Sequence, residues 1–482
     1  MPSGPQYKFT GFAPDLPPET PGILTDTDKV LINSKGFVRP QASPVAWGSA
    51  LPNTVYGATL AQYVDGTQRY FAGTSSTLYE NAGGASGTWT SVGTGFSSNT
   101  LPGGGWRFAQ FGNVCLAQDG VDTGQVATTS GNFTSLSAMP IARVITSVNN
   151  NFVFLGNIVS SPDETDFPHS ADRWWCCAQA DYTNWTPSDS TLCVTGRLLD
   201  TPGPITAIKQ MGQNLTFLAY KQQGLYLGLF VNVPVIWQFI TISRLIGTFS
   251  QESVVDIGAF HVFPSYDDFW SCDGGGNLQR IENPIKSWFF STCNMAAVIA
   301  GTSNIVGTFD RIHDVVYWYF PTTSNALDHW VAWNVRSNMW TTGTLAIDAV
   351  LYPEVQFSNA NPAQAVFQTS DHKAYTFSGA GNPSAYVTTG DMGDNQHFFY
   401  VNRIRPYFAA APADFTTINA DGYTKLALGT TGTQVNTAVP MDQYGWLNMR
   451  QNGRWNSYTF HLPQDCQMEG FDVVPNLPSG VR

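Results

Sequence analysis

Seven histidines, seven cysteines and two short acidic clusters carry the side chains best suited to chemistry in this 482-residue chain. The histidines (His169, His261, His313, His329, His372, His397 and His461) are scattered. No H-x-x-x-H or H-E-x-x-H spacing places two of them on one helical face to hold a metal. His313 and His329 flank a strand–loop–strand unit and could meet in space, but further ligands are not evident and packing is the favoured role. The cysteines (Cys115, Cys176, Cys177, Cys193, Cys272, Cys293 and Cys466) are odd in number and form no C-x-x-C pair. Neither a zinc site nor a disulfide framework is indicated, and folding in a reducing cytoplasm is expected. Asp267-Asp268 and Asp163-Glu164-Thr165-Asp166 are the densest acidic groups. A glycosidase needs two carboxylates roughly 5 to 10 Å apart across a sugar, and tryptophans could stack that sugar. The tryptophans fall at periodic, core-like positions, which favours packing. Asp163–Asp166 lacks the alternating oxygen ligands and the glycine of an EF-hand calcium loop. Asp273-Gly274-Gly275-Gly276-Asn277 lacks the Lys-Ser/Thr of a phosphate loop and reads as a hairpin turn. No G-x-S-x-G elbow occurs. No catalytic, cofactor-binding or metal-ligating residue is therefore assigned, and the chain is read as a non-enzyme.

The elements that would position any site are strands. A hydrophobic strand, a turn and an aromatic strand recur, often leading to Trp-Thr or Phe-Thr: Trp89-Thr90, Phe133-Thr134, Trp185-Thr186, Trp340-Thr341. Units begin near Phe71, Val114, Phe152, Leu215, His261, Val315 and Val366. Their spacing of roughly 40 to 60 residues is that of propeller blades. Val331–Val335 alternates, whereas Val315–Phe320 is a continuous apolar run, and both patterns read as strands. Helical periodicity is confined to Asn294–Ala300 and the short stretch after Ser43-Pro44. Long inserts at Val159–Ala171 and Thr186–Pro204 are expected to form loops.

The expected fold is all-β: a β-propeller of six or seven blades over residues 51–387, preceded by an extended Pro-rich arm over 1–50 and followed by a C-terminal antiparallel β-sandwich or platform over 388–482. Five prolines within residues 5 to 21 exclude a helix in the arm. Phe9, Phe12, Leu16, Ile23 and Leu24 give it apolar anchors for lying on a surface. The N-terminal strand could also complete the last blade.

Only 12% of residues are charged while 13% are aromatic, a balance that excludes disorder and suggests a surface partly covered by partners. The net charge of −12, without a Lys/Arg cluster, has the wrong sign for holding nucleic acid; on charge alone ordinary acidic solubility is the favoured reading, and a wall past which DNA must slide is the alternative it also suits. Met-Pro-Ser-Gly opens the chain without the regions of a secretory signal, and no apolar run approaches the length of a membrane span.

Several segments together resemble one family. The opening Asp15-Leu16-Pro17-Pro18-Glu19-Thr20-Pro21-Gly22 with Asn33-Ser34-Lys35-Gly36-Phe37 is similar to the start of the tail nozzle proteins of short-tailed (podovirus-type) bacteriophages, also called packaged-DNA stabilisation proteins. The same holds for Phe152–Asn157, Asp172–Trp175, Gly203–Ile208, Gly247–Val255, Gly453-Arg454, Met468–Val473 and Gly480-Val481-Arg482. The motifs are collinear over nearly the whole chain, and none is catalytic. The resemblance implies a structural protein of the virion tail, made in the host cytoplasm. Six copies would ring the tail axis below the portal and its adaptor, with tail fibres or spikes and a plug or needle as further partners. The channel would conduct the genome without specific binding, no cofactor is implied, and no channel-lining residue can be carried over. The alternative reading is a carbohydrate-binding or carbohydrate-active propeller of a phage tail.

Overall fold

The computed structural model describes residues 6–97, 99–160, 170–211, 216–353, 365–463 and 465–481. Among these the strands form a seven-bladed β-propeller and a β-sandwich. Blades 1 to 5 occupy residues 57–94, 107–135, 141–197, 205–243 and 255–280, each four antiparallel strands in chain order. Blade 6 begins at residue 306 and ends on the first part of the 15-residue strand Met339–Pro353. The same strand runs on as the innermost strand of blade 7, pairing with Ala365–Gln368 and lying parallel to Gly57–Gln62 of blade 1. Blade 7 adds Ala374–Gly381 and takes its outermost strand, Ala42–Trp47, from the start of the chain. The ring is thus closed by an N-terminal strand.

Six of the repeat starts fall on the second strand of a blade: Phe71, Val114, Phe152, His261, Val315 and Val366. Leu215 lies outside the described residues, immediately before the corresponding strand Thr216–Lys221 of blade 4. The second strand has neighbours on both edges and packed blades on both faces, so it reads as an unbroken apolar run. Every residue of Val315–Pro321 is buried. Trp-Thr or Phe-Thr marks the entry to the fourth strand in blades 1 and 2, and lies on that strand in blade 6. In blade 3, Trp185-Thr186 sits instead in the turns before the fourth strand. Trp175, Trp318, Trp330 and Trp340 are fully buried, and Trp318, Trp333 and Trp340 stack at 5.9–6.1 Å within blade 6.

The N-terminal segment differs from a surface arm. Val30–Ile32 and Val38–Pro40 join a six-stranded sheet with His397–Ala410, Gln451–Gly453 and Gln467–Val481, and Tyr7–Lys8 pairs the last of these. Gly11–Phe12 and Ile23–Asp28 join a second sheet with Tyr386–Thr389, Trp455–His461, Asn419–Lys425 and Thr433–Pro440. The two sheets enclose one core in which Phe9, Leu24, Val30, Ile32 and Val38 meet Ile404, Tyr458, Phe460 and Phe471. Strands of two to six residues between prolines are too short to show alternation, which hides them in the sequence. The stretch after Ser43-Pro44 is strand rather than helix. As the outermost strand of blade 7 it tolerates Pro44, because nothing beyond it needs that N–H. A helix does form at Met295–Ile299, capped by Asn294 Oδ1 accepting from Ala297 N at 3.2 Å, and a second at Lys286–Thr292.

The same N-terminal segment clasps sandwich to propeller. Thr27 Oγ1 accepts from Thr342 N at 2.9 Å and donates to Thr342 O at 3.1 Å, both on the outer strand of blade 6. Thr344 N donates to Asp28 Oδ1 at 2.7 Å, and Asn334 Nδ2 to Ile32 O at 3.0 Å. Asp15 accepts from Ser287 N and Trp288 N at 2.6 and 2.9 Å at the start of the Lys286–Thr292 helix, where a carboxylate is favoured.

Candidate functional site

The hub of the propeller gathers more buried charge than any site read from the sequence. The inner strands enclose a polar cavity of about 380 Å3.

A loop crosses it. Gly247–Val255, noted in the sequence only as a point of family resemblance, turns tightly between blades 4 and 5 on its own hydroxyls. Thr248 Oγ1 and Ser253 Oγ lie 2.8 Å apart, and Ser253 Oγ donates to Ser250 O at 2.7 Å. The turn carries Gln251 and Glu252 to the axis. Gln251 Nε2 donates to Ile145 O of blade 3 at 2.7 Å. Glu252 takes a two-pronged bond from Arg107 of blade 2, Nε at 2.6 Å and Nη2 at 2.9 Å, and a third from Asn304 Nδ2 at 3.1 Å. Arg107 also donates to the Arg143 carbonyl. Gly307 N of blade 6 donates to the Glu252 carbonyl at 2.8 Å, and Trp318 Nε1 to Ser253 O at 3.0 Å. Blades 2, 3 and 6 are tied through one turn. Gly104 permits the approach, since a Cβ there would stand 2.6 Å from Asn304 Nδ2 and 2.9 Å from Glu252 Oε2.

Burial alone would raise the Glu252 carboxyl, but the Arg107 charge and the bonds from Arg107 and Asn304 outweigh it and hold the group below its usual range. Lys209 Nζ, beside the same cavity, donates to Val254 O at 2.6 Å. Sequence reasoning missed the pair because Arg107 and Glu252 are 145 residues apart. The one local signal was a polar Ser-Gln-Glu-Ser run between apolar strands.

His261 lies behind the hub and is fully buried. Its ring faces the Tyr220 hydroxyl at 2.9 Å and the Gln210 carbonyl at 3.0 Å. The carbonyl can only accept, so Nε2 carries the proton and the Tyr220 hydroxyl donates to Nδ1. Burial pushes the imidazole down to about 4, assisted by Lys209 and opposed by Asp256 and the bond to Gln210. The unfolded ring titrates near 6.5, so between these values the unfolded chain binds the extra proton. Stability from this group is complete above about pH 6.5 and drains as pH falls toward 4, by on the order of 3 kcal/mol. Thermal melts at pH 7.5 and 4.5 are expected to show a smaller acid loss for His261→Gln, which keeps a donor and an acceptor, than for the parent.

The other sequence candidates come apart. His313 Nδ1 meets Asp310 Oδ2 at 2.5 Å, and His329 Nδ1 meets Asp328 at 3.2 Å. They stand near opposite ends of the second strand of blade 6, next to Val315 and across from Phe320, about 17 Å apart by strand rise. Asp268 is buried and binds Arg280 at 2.9 Å and Asn283 Nδ2 at 2.7 Å, while Asp267 accepts from Trp270 Nε1 at 3.0 Å. Asp273 Oδ1 accepts from Gly275 N and Asn277 N at 2.9 Å and closes a hairpin turn in blade 5. Asp163–Asp166 and His169 lie outside the described residues. All seven cysteines are buried. No cluster of three or more metal-ligating side chains occurs among the described residues, and none of their helices is long and apolar enough to cross a membrane.

No family model matches the chain, and no curated protein matches its sequence. Among solved structures it is similar to the β-propeller domain of Cps50 (Swd1) from Myceliophteria thermophila, at 8% identity and TM-score 0.41 over 70% of this chain and 99% of that one. It is also similar to the WD40 domain of Neurospora crassa Pan2, at 9% identity and TM-score 0.41 over 70% of this chain and 95% of that one. The propeller itself is established by the strand pairings.

Proposed function

We propose that this chain is a structural subunit of a short-tailed phage, six copies forming the nozzle ring below the portal and its adaptor. The collinear sequence resemblance suggests the family, and one structural observation carries the assembly: an apolar rim on blade 4. Val231, Val233 and Val235, at the tip of its outer hairpin, are 44–57% exposed, and Ile240 on its outermost strand, whose outer edge is open, is 44% exposed. Leu245, just beyond that strand, is 80% exposed. Apolar side chains on an open strand edge invite a partner. In a closed ring the patch meets a different surface of the next copy.

In this reading DNA passes through the space enclosed by six subunits, because each propeller axis is blocked by the Gly247–Val255 turn. The wall acts by excluded volume and like-charge repulsion and leaves phosphates unbound, since every phosphate contact would have to break for the genome to move. Most tryptophans of the propeller, among them Trp174, Trp175, Trp318, Trp330 and Trp340, are packed inside it, whereas Trp47, Trp89, Trp270 and Trp288 are half-buried.

Val231→Asp with Val235→Asp tests the assembly. Both sites are exposed, so the monomer should melt as the parent does. Two central contacts at about 2 kcal/mol each would weaken association at least about a hundredfold. Electron micrographs of the parent with its adaptor should show sixfold rings that the variant fails to form. Rings undiminished in the variant, or particles in which the parent sits away from the tail axis, would reject the proposal.

A further inference from the structure

We infer that the outer face of the second sandwich sheet is a binding groove for a neutral, hydroxyl-rich ligand of the oligosaccharide class. This is independent of the nozzle reading. The groove is a cavity of about 510 Å3 floored by Tyr386–Thr389, Trp455–His461 and Asn419–Lys425. In these strands Val387, Tyr458, Phe460 and Ala420 point into the sandwich core, so their alternate neighbours face out. The outward residues that line the groove are polar or tyrosine side chains, and cross-strand register puts Thr388, Thr459 and Asp421 in one row, with Ser457 opposite Tyr423. Three strands about 4.8 Å apart and steps of about 6.8 Å along each give a floor of roughly 10 by 14 Å.

The polar groups on this floor are held ready. Thr388 and Thr459 hydroxyls share a bond of 2.8 Å, His461 Nε2 holds Asp421 Oδ2 at 3.0 Å, and Lys425 Nζ holds Asp391 Oδ2 at 2.8 Å. The carboxylates therefore sit beside their own donors, which leaves little field for a cation. They also repel phosphate or sulfate. Free oxygen lone pairs remain to accept from ligand hydroxyls, and the Tyr423 ring stands beside them as a stacking surface. Ser457 adds an independent sign: it is 6% exposed, lines the cavity, and its hydroxyl has no hydrogen-bond partner among the described residues. A hydroxyl that opens onto the groove from a largely buried residue is where a ligand hydroxyl or its water would bond.

The test uses the full chain on an array of neutral oligosaccharides of hexose and N-acetylhexosamine units, with calorimetry on the strongest binder. The parent is expected to bind at least one. Asp421→Asn and Tyr423→Ala should each weaken that binding about tenfold or more, Tyr423→Ala with unchanged melting and Asp421→Asn with a small loss from its weakened bonds to His461 Nε2 and Ala438 N, since each removes a charge-assisted acceptor or the stacking ring. Sedimentation is run on the same samples. Absence of binding across the array, or binding untouched by both variants, would overturn the inference. A shift from ring to monomer in Asp421→Asn would also overturn it, by making this face a contact between copies of the chain. Failure of the rim variants to disturb the ring would reject the nozzle reading and leave the groove standing.

Discussion

Deleting residues 1–48 is expected to leave no soluble, folded protein. The deletion removes Phe9, Phe12, Ile23, Leu24, Val30, Leu31, Ile32 and Val38, each no more than 3% exposed. Burying each contributes about 1.5–3 kcal/mol, and together they exceed the roughly 5–15 kcal/mol by which a domain is stable. It also strips the outer strand from blade 7 and opens the closure of the ring. A gentler version separates loss of sequence from loss of continuity. A protease site inserted between Pro52 and Asn53, both exposed, cuts the chain without removing a strand. After cleavage the N-terminal fragment should co-elute with the remainder on gel filtration and part from it only in denaturant. Release in buffer, or a soluble and cooperatively melting deletion variant, would show that the segment is the surface arm its prolines suggest.

That contrast marks what the sequence made legible. Second strands such as Val315–Pro321 are apolar throughout because protein covers them on every side, so the blade period stood out. Innermost strands face a polar axis and mix Thr59, Arg107 and Lys209 with apolar neighbours, so they carried no pattern. The strands of the N-terminal segment bury their apolar residues singly between prolines, and composition pointed to an arm. The helix Lys286–Thr292 passed unnoticed because seven residues give too little periodicity and its cap, Asp15, lies 272 residues away. The groove on the sandwich was hidden for another reason. Ser457, Thr459 and Asp421 alternate with core residues as solvent-facing positions ordinarily do, and only the cavity above them sets them apart. Long-range pairings decide the hub as well, where Arg107 and Glu252 look like two unrelated surface charges until the ring is closed.

Arg107→Ala should therefore cost more than any surface substitution, about 3–5 kcal/mol, because it leaves Glu252 charged, 6% exposed and without its cation. Double replacement by Arg107→Met and Glu252→Met removes both charges together. It should melt closer to the parent than Arg107→Ala does, since a buried pair exchanged for apolar groups is often neutral. The sign of the pH dependence follows from the depressed Glu252 carboxyl. Its stabilising contribution is present above the ordinary glutamate range near 4.3 and fades as pH falls through the lower native value. The gap between parent and Arg107→Ala in urea titrations should accordingly narrow in acid. A cost under about 1 kcal/mol at neutral pH would mean that water reaches Glu252 freely and that the turn does not seal the axis. The propeller itself would then become a candidate passage for a narrow polyanion. A cost in the expected range would show that water does not reach the Arg107–Glu252 pair, as a turn packed across the axis demands.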